Sequence, residues 1–408
     1  MAHELGNQGG QGVRQANVRK VLDALRLEGP SSQASLARKT ALSPATVNNI
    51  VRRLREDGQA EVRPVNGRES LVALVSTQGA VASIQVNVGS VHGALFDFAR
   101  GLRFEGQVDL EEGTDQEGGS PELVADLVRS LAAEAGLGLA DLDGVAVAMQ
   151  GPISTSSGTV MSWARRQLPK WEGVAIETVL EKELGVPVLA ENDANLGALA
   201  EWTWGAGKGS SEFLYVACSA GIGGGFVLDG NIYRGSDGMA GEIGHMVIEP
   251  NGPVCFCGSR GCLNTFASER SVLLALRGYS GTMRSLAEVI DSARRKDPAC
   301  QRVLFEAGRY LGRALANTAK AMAPSVVAIG GELASAGPLV FDSMRSSVEL
   351  NSLMAASPSI RFRQARLGDD ATLLGGVAAV HKKLGQGASS LPGWMVKKDT
   401  LDKPVRSA

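Results

Sequence analysis

Cysteine is scarce in this chain, with five among 408 residues, and no apolar run is long enough to cross a bilayer. A disulfide scaffold is disfavoured, because three of the five cysteines crowd into one short stretch and cannot all pair with one another. A surplus of charge is missing too: the formal net charge is −2, which taken alone disfavours a nucleic-acid partner. The opening residues 1–12 are polar and rich in Gly and Gln, so they read as a disordered tail and not as a signal peptide. What is left is a chain of two or three domains, expected in the cytoplasm without a membrane partner.

The charge that is present is unevenly placed. Between residues 13 and 74 eleven Lys and Arg face six acids, a local +5 that leaves −7 for the remainder. Here Val18, Val21, Leu22 and Leu25 recur at helical spacing, and Gly29-Pro30 ends that helix. Ser32 can cap a second helix that buries Leu36 and Ala37, with Ala41-Leu42 as the turn. Ser43-Pro44 opens a third helix running to about Asp57, and its inner face is Val47, Ile50, Val51 and Leu54. The outer face is then Ala45, Thr46, Asn48, Asn49, Arg52 and Arg53. Small and amide side chains can approach base edges in a major groove, and the arginines can take guanine or phosphate. Strands at 60–65 and 70–75 around Asn66-Gly67 complete a winged helix-turn-helix over residues 13–75, with Arg68 at the wing tip directed to operator DNA. A three-helix protein-binding domain would share the apolar pattern; the local positive charge favours DNA.

The stretch from Gly244 to Cys262, GHMVIEPNGPVCFCGSRGC, places Cys255, Cys257 and Cys262 within reach of His245. Three thiolates and an imidazole make the closed tetrahedral shell of a structural Zn2+ site, and a Gly-rich hairpin has few neighbours to bury such thiols as plain hydrophobes. Cys218 in an apolar strand and Cys300 fit that plainer role. The pattern Gly-His, nine residues, CxCGxxGC resembles the zinc signature of the ROK family, which contains bacterial repressors, sugar kinases and unassigned reading frames. Further matches are Glu191-Asn192-Asp193-Ala194-Asn195, Gly221-Ile222-Gly223-Gly224-Gly225 and Gly238-Met239-Ala240-Gly241-Glu242.

From about Ser76 strands and helices alternate, with strands at 82–88, 93–97, 144–148 and 186–189, helices at 123–134 and 174–184, and strand-then-glycine turns at 214–225 and 326–331. This pattern supports an α/β class. The resemblance implies an actin-like, sugar-kinase-type body of two lobes over residues 76–385, with 386–408 as a C-terminal tail. It also implies that Gly151, Gln167, Asn192, Asp193, Glu242 and His245 surround a sugar, with Asp193 standing where the family's kinases have their general base. His245 would then serve the metal through one ring nitrogen and the sugar through the other.

Phosphate handling departs from the kinase pattern. The first loop reads Asn87-Val88-Gly89-Ser90-Val91-His92, where ROK kinases carry Asp-x-Gly-Gly-Thr-Lys, so the anionic metal partner and the fixed cation are both replaced. The second loop has Ala220 where threonine is usual, and Asn264 stands where kinases have a sugar-contacting glutamate. No working catalytic residue is therefore expected, Asp193 being a vestigial base. The resemblance and these departures imply a sugar-responsive transcriptional regulator, more readily a repressor of carbohydrate genes, acting on the nucleoid as a homodimer or homotetramer. The alternative is an ATP-dependent sugar kinase with an appended regulatory domain. A ligand-free adaptor binding a partner protein is a third reading.

Overall fold

A computed structural model describes residues 17–18, 20–22, 24–25, 30–56, 60–66, 69–74, 79–110, 118–161, 167–279, 283–351, 360–384 and 392–396. Near the start, Val21 and Leu25 are helical and buried against two further helices, α1 (Gln33–Thr40) and α2 (Pro44–Glu56). The expected caps form: Ser32 Oγ accepts from the Ser35 amide at 3.3 Å, and Ser43 Oγ accepts from the Thr46 amide at 3.1 Å. Between the helices Ala41 adopts a left-handed φ of 54°, which makes the sharp corner. Leu36, Val47, Ile50, Val51 and Leu54 close the core under β1 (Ala60–Asn66) and β2 (Glu69–Leu74), an antiparallel pair. Gly67 and Arg68, the expected wing tip, lie outside the described residues.

The first lobe follows with β3 (Ala80–Val86), β4 (Ser90–Asp97), β5 (Leu102–Asp109), α3 (Pro121–Glu134), β6 (Leu142–Met149), α4 (Ile176–Leu184) and β7 (Val188–Asn192). Its sheet runs β5-β4-β3-β6-β7, with β3, β6 and β7 parallel and the β3-β4-β5 meander antiparallel. Then α5 (Asp193–Trp204) leads to β8 (Glu212–Cys218), β9 (Ile222–Leu228) and β10 (Asn231–Tyr233). After the short α6 (Asn264–Ala267) come α7 (Glu269–Leu276), α8 (Leu286–Arg294), α9 (Pro298–Met322), β11 (Val326–Gly330), α10 (Pro338–Asn351), β12 (Arg361–Gln364) and α11 (Ala371–Lys383). The second sheet runs β10-β9-β8-β11-β12, so both sheets use a meander of three strands followed by two parallel strands. This duplication is the two-lobed α/β body that the resemblance implied.

Two helices join the lobes by exchange. α5 leaves the last strand of the first sheet and packs on β8 and β9 of the second, whereas α11 leaves the last strand of the second sheet and packs on β3 and β6 of the first. They meet each other where Gly375 presses on the Leu196 carbonyl so closely that a Cβ would overlap it. Each outer face has its own core, built on α3 and α4 in the first lobe and on α8, α9 and α10 in the second.

One expectation needs correction and one gains detail. The glycines 223–225 do not form a turn after a strand: they lie inside β9. They are small because a Cβ on Gly225 would strike the Ala194 carbonyl and one on Gly224 would strike Ile243 and the Gly241 carbonyl. Within the stretch read as a C-terminal tail, residues 392–396 pack on the first lobe, where the Met395 carbonyl accepts from Arg103 Nη1 at 2.6 Å.

Candidate functional site

The α2 helix presents the outer face expected of it. Ala45, Asn48, Asn49, Arg52 and Arg53 are exposed, while Thr46 is half-buried because its hydroxyl shares a 2.8 Å hydrogen bond with Ser43 in the cap. Arg52 donates from Nη2 to the Asn49 side-chain oxygen at 3.2 Å, which aligns an amide and a guanidinium on one strip of the helix. The chemistry suits base edges and phosphates.

The four residues of the hairpin converge. Their ligand atoms all lie within 4.8 Å of one another, with Cys255 Sγ 3.6 Å from His245 Nδ1 and Cys257 Sγ 3.8 Å from Cys262 Sγ. The sulfur spacing is far beyond the roughly 2.05 Å of a disulfide. Such a group can hold a metal ion. Cys255 and Cys262 are buried, so the expectation of a poorly covered hairpin was wrong for these two; Cys257 is half-buried. Burial lifts the Cys262 thiol to about 12, and a cation in the cluster would supply the opposite pull. Gly258 and Gly261 take positive φ of 95° and 67° in the knuckle, the second pressed against the Glu249 carbonyl. Phe256 lies edge-on to the His245 ring at 5.0 Å. The other ring nitrogen, Nε2, is 4.0 Å from Glu242 Oε2, so the hairpin holds His245 between the cluster and the cleft.

The Asn192–Asp193 pair stands where the chain leaves the first sheet for the second. Asn192 pairs with Met149 at the end of the sheet, caps α5 by accepting from the Asn195 amide at 3.0 Å, and donates from Nδ2 to Asp193 Oδ1 at 3.1 Å. Burial raises the Asp193 carboxyl to about 6, against the opposing bonds from Ala194, its own amide and Asn192. Glu242 is lifted to about 7, first by burial and then by the Asp193 charge, so the two carboxyls share one environment. A pair of half-buried acceptors with an imidazole beside them can bind vicinal hydroxyls. Gly151 follows β6, three residues from the strand partner of Glu191, with a φ of 120°. Gln167 lies elsewhere in its contacts: its carbonyl abuts Gly118, and among the described residues no hydrogen bond joins it to Asn192, Asp193, Glu242 or His245.

The phosphate side is built differently. Asn87 accepts from Gln85 Nε2 at 3.1 Å, the Val88 amide donates to Gln150 Oε1 at 3.2 Å, Val91 is buried in the first lobe's core, and His92 Nε2 sits 3.7 Å from Glu105 Oε2 on β5. These groups are engaged within their own sheet. At the second loop the Ser219 hydroxyl accepts from the Glu332 amide at 3.2 Å, and Ala220 is exposed. The Glu332 carboxyl is raised by burial and by the charges of Glu269 and Asp369, a gathering of acids unsuited to a polyphosphate. Asn264 is buried and accepts from the Ile222 amide at 2.8 Å, so its side chain secures the start of β9.

Sequence reasoning assigned no part to several residues here. Glu191, buried, takes a 2.6 Å ion pair from Arg234 while its other oxygen accepts from Asn195 Nδ2 at 3.0 Å and the Asn192 amide at 2.9 Å, bracing the Asn192–Asp193 pair from below. Asp237 accepts from Ser154 across the lobes. The signal for Glu191 and Asn195 lay in their place beside the Asn-Asp pair; for Arg234 and Asp237 the partners are too distant in sequence to be paired by eye.

A winged-helix reader on a duplicated α/β body, with a hairpin of one histidine and three cysteines at the cleft, defines a two-part protein with a sugar-kinase-like fold. The model of the ROK family matches residues 101–383 and a winged helix-turn-helix DNA-binding model matches residues 14–60. The chain belongs to the ROK family. It is 28% identical over 372 residues to the xylose repressor of Bacillus subtilis (strain 168), covering 89% of this chain and 94% of that protein. It is 34% identical over 242 residues to a glucokinase of Halalkalibacterium halodurans, covering 56% of this chain and 68% of the relative. In structure it matches a ROK family transcriptional regulator, a homologue of the E. coli MLC protein, with a TM-score of 0.65 over 91% of this chain and 96% of that one at 23% identity, a likeness of fold.

Proposed function

We propose that this protein is a sugar-responsive DNA-binding transcriptional regulator, a repressor of carbohydrate-related genes, acting in the cytoplasm as a symmetric oligomer. One observation carries the reading: the cleft keeps half-buried acceptors at Asp193 and Glu242 while the loop of residues 87–92 spends its side chains on its own sheet. Phosphoryl transfer relies on positioned cations and metal ligands, so such a cleft can grip a sugar without phosphorylating it. The likeness to a xylose repressor over 89% of this chain supports the same reading, since the match to glucokinase covers 56% of it.

The cluster of His245, Cys255, Cys257 and Cys262 is assigned to structural zinc. A tetrahedral zinc with bonds of about 2.3 Å to sulfur and 2.0–2.1 Å to nitrogen separates two sulfurs by about 3.8 Å and sulfur from nitrogen by about 3.5 Å. The spacings of 3.8 and 3.6 Å fit that shell. The metal would fix the His245 ring so that Nε2 meets the ligand beside Glu242. Asn49 and Arg53 would read bases, with Arg52 and Arg68 on bases or backbone.

Operator affinity is measured with and without D-xylose, D-glucose and a wider panel of pentoses, hexoses and N-acetylhexosamines. The cognate sugar should change operator affinity by about 1–3 kcal/mol, and operator should change sugar affinity by the same factor. Glu242→Ala should keep DNA binding and lose the response. Sugar-dependent ADP release at the order of 10 per second, lost in Asp193→Asn, would instead make the chain a kinase.

A further inference from the structure

The segment 235–241 has an unusual backbone: Gly235, Asp237, Gly238 and Gly241 all take positive φ, and Asp237, at 50°, is the one non-glycine among the four. On one side this segment rests on the second lobe, because a Cβ on Gly241 would overlap the Gly224 carbonyl of β9. On the other it touches the first lobe, because a Cβ on Gly238 would overlap the Ile153 carbonyl in the loop that follows β6. The Asp237 carboxylate spans the same boundary. Its Oδ1 accepts from Ser154 Oγ at 2.8 Å, from the Ser156 amide at 3.0 Å and from Thr155 Oγ1 at 3.4 Å. The receiving loop is braced on its own account, with Ser154 donating its amide to the Thr159 carbonyl at 2.9 Å and Met161 reaching the Pro152 carbonyl at 3.0 Å. A strained residue held in place by three donors from the opposite lobe is the arrangement of a closure contact. Glu242 follows directly, so the state of this contact sets the position of a cleft carboxyl.

We propose that Asp237 is the latch between the lobes: by engaging the loop of residues 154–156 it closes the cleft and positions Glu242 on the bound ligand. It is a positioning residue, and the identity of the ligand rests on the sugar reading above. The test uses the full chain with Asp237→Gly, which keeps the positive φ and deletes the acceptor, and Asp237→Asn, which keeps both the φ preference and one acceptor oxygen. Without ligand, amide exchange of the peptide covering residues 152–160 should quicken about tenfold in D237G and less in D237N, with β8 and β9 unchanged. The sugar that the wild type binds from the panel should leave D237G about tenfold faster, with partial rescue in D237N. A wild-type dissociation rate in D237G overturns the latch while leaving sugar sensing intact. If no sugar binds the wild type, the sugar reading fails and exchange alone decides, wild-type protection of residues 152–160 in D237G overturning the latch.

Discussion

On the side of the cleft that holds Asp193 and Glu242, the polar groups are half-buried, shifted upward in pKa and braced from below by the buried Glu191 with Arg234; on the side formed by residues 87–92 the side chains serve the first sheet instead. Both sides sit on the same duplicated scaffold, residues 87–92 joining β3 to β4 while Asp193 follows β7, so possession of the scaffold does not by itself account for the difference. It teaches that the glycine-rich outline of a kinase cleft has a structural use of its own. Gly224 and Gly225 are small because α5 and the 241–243 segment press on β9, whatever lies in the cleft. Resemblance at glycines therefore speaks for the fold, and resemblance at Asp193, Glu242 and His245 speaks for a ligand.

The strongest way to sharpen this comparison is to remove the metal. If zinc organises the side that holds Glu242, stripping it or changing Cys257→Ser should lower stability by several kcal/mol, because binding energy at such sites is folding energy. Thermal unfolding and metal content should fall together, and sugar affinity should drop with them, since His245 Nδ1 faces the cluster and Nε2 faces Glu242. Metal-free protein that melts at the native temperature would break the link.

Much of this site was legible in the sequence because the informative groups are close together along the chain. The cysteines of CxCGxxGC and the helical period of Val47, Ile50, Val51 and Leu54 needed no tertiary knowledge, and the caps at Ser32 and Ser43 followed from local chemistry. What was not legible depends on distant pairing. β5 alternates regularly from Leu102 to Asp109 and was passed over, but its pairing with β4 and the reach of Arg103 to Asp370, 2.6 Å away, could not be read from the chain. The glycines of β9 read as a turn because their true constraint, the carbonyl of Ala194, belongs to another element. Asp237 looked like one more loop acid, since its donors lie more than eighty residues away.

The next effect is set by Asp193. Its carboxyl ordinarily titrates near 3.8 and is raised by burial to about 6, so between those values the native chain holds a proton that the unfolded chain has lost. The stability it contributes is full below about pH 4 and is lost as pH rises through 6, a change of about 3 kcal/mol if the whole interval is felt. Asp193→Asn cannot titrate. The difference in denaturant midpoint between wild type and variant should therefore move steadily in the variant's favour from pH 4 to pH 7. Sugar affinity in the wild type should rise over the same range as the carboxylate forms. The DNA face comes next: Asn49→Ala or Arg53→Ala should weaken a specific operator by about 1–3 kcal/mol and relax its sequence preference, measured by competition with single-base variants.

The smallest expected effect tests the other side of the comparison. His92 stands where a kinase places a cation on phosphate, yet it lies on β4 with Nε2 3.7 Å from Glu105, a partly exposed pair of the kind that contributes little. If that side has lost its part in ligand handling, His92→Ala should alter stability by no more than about 1 kcal/mol. It should also leave sugar affinity and the sugar effect on operator binding within about twofold. An imidazole engaged across the sheet, beside a buried Val91, has no reason to follow events at Asp193. ATP should be equally indifferent to the substitution. A His92→Ala chain that lost its sugar response, or whose affinity for ATP fell tenfold, would show that residues 87–92 still face the ligand, and the contrast between the two sides would have to be withdrawn.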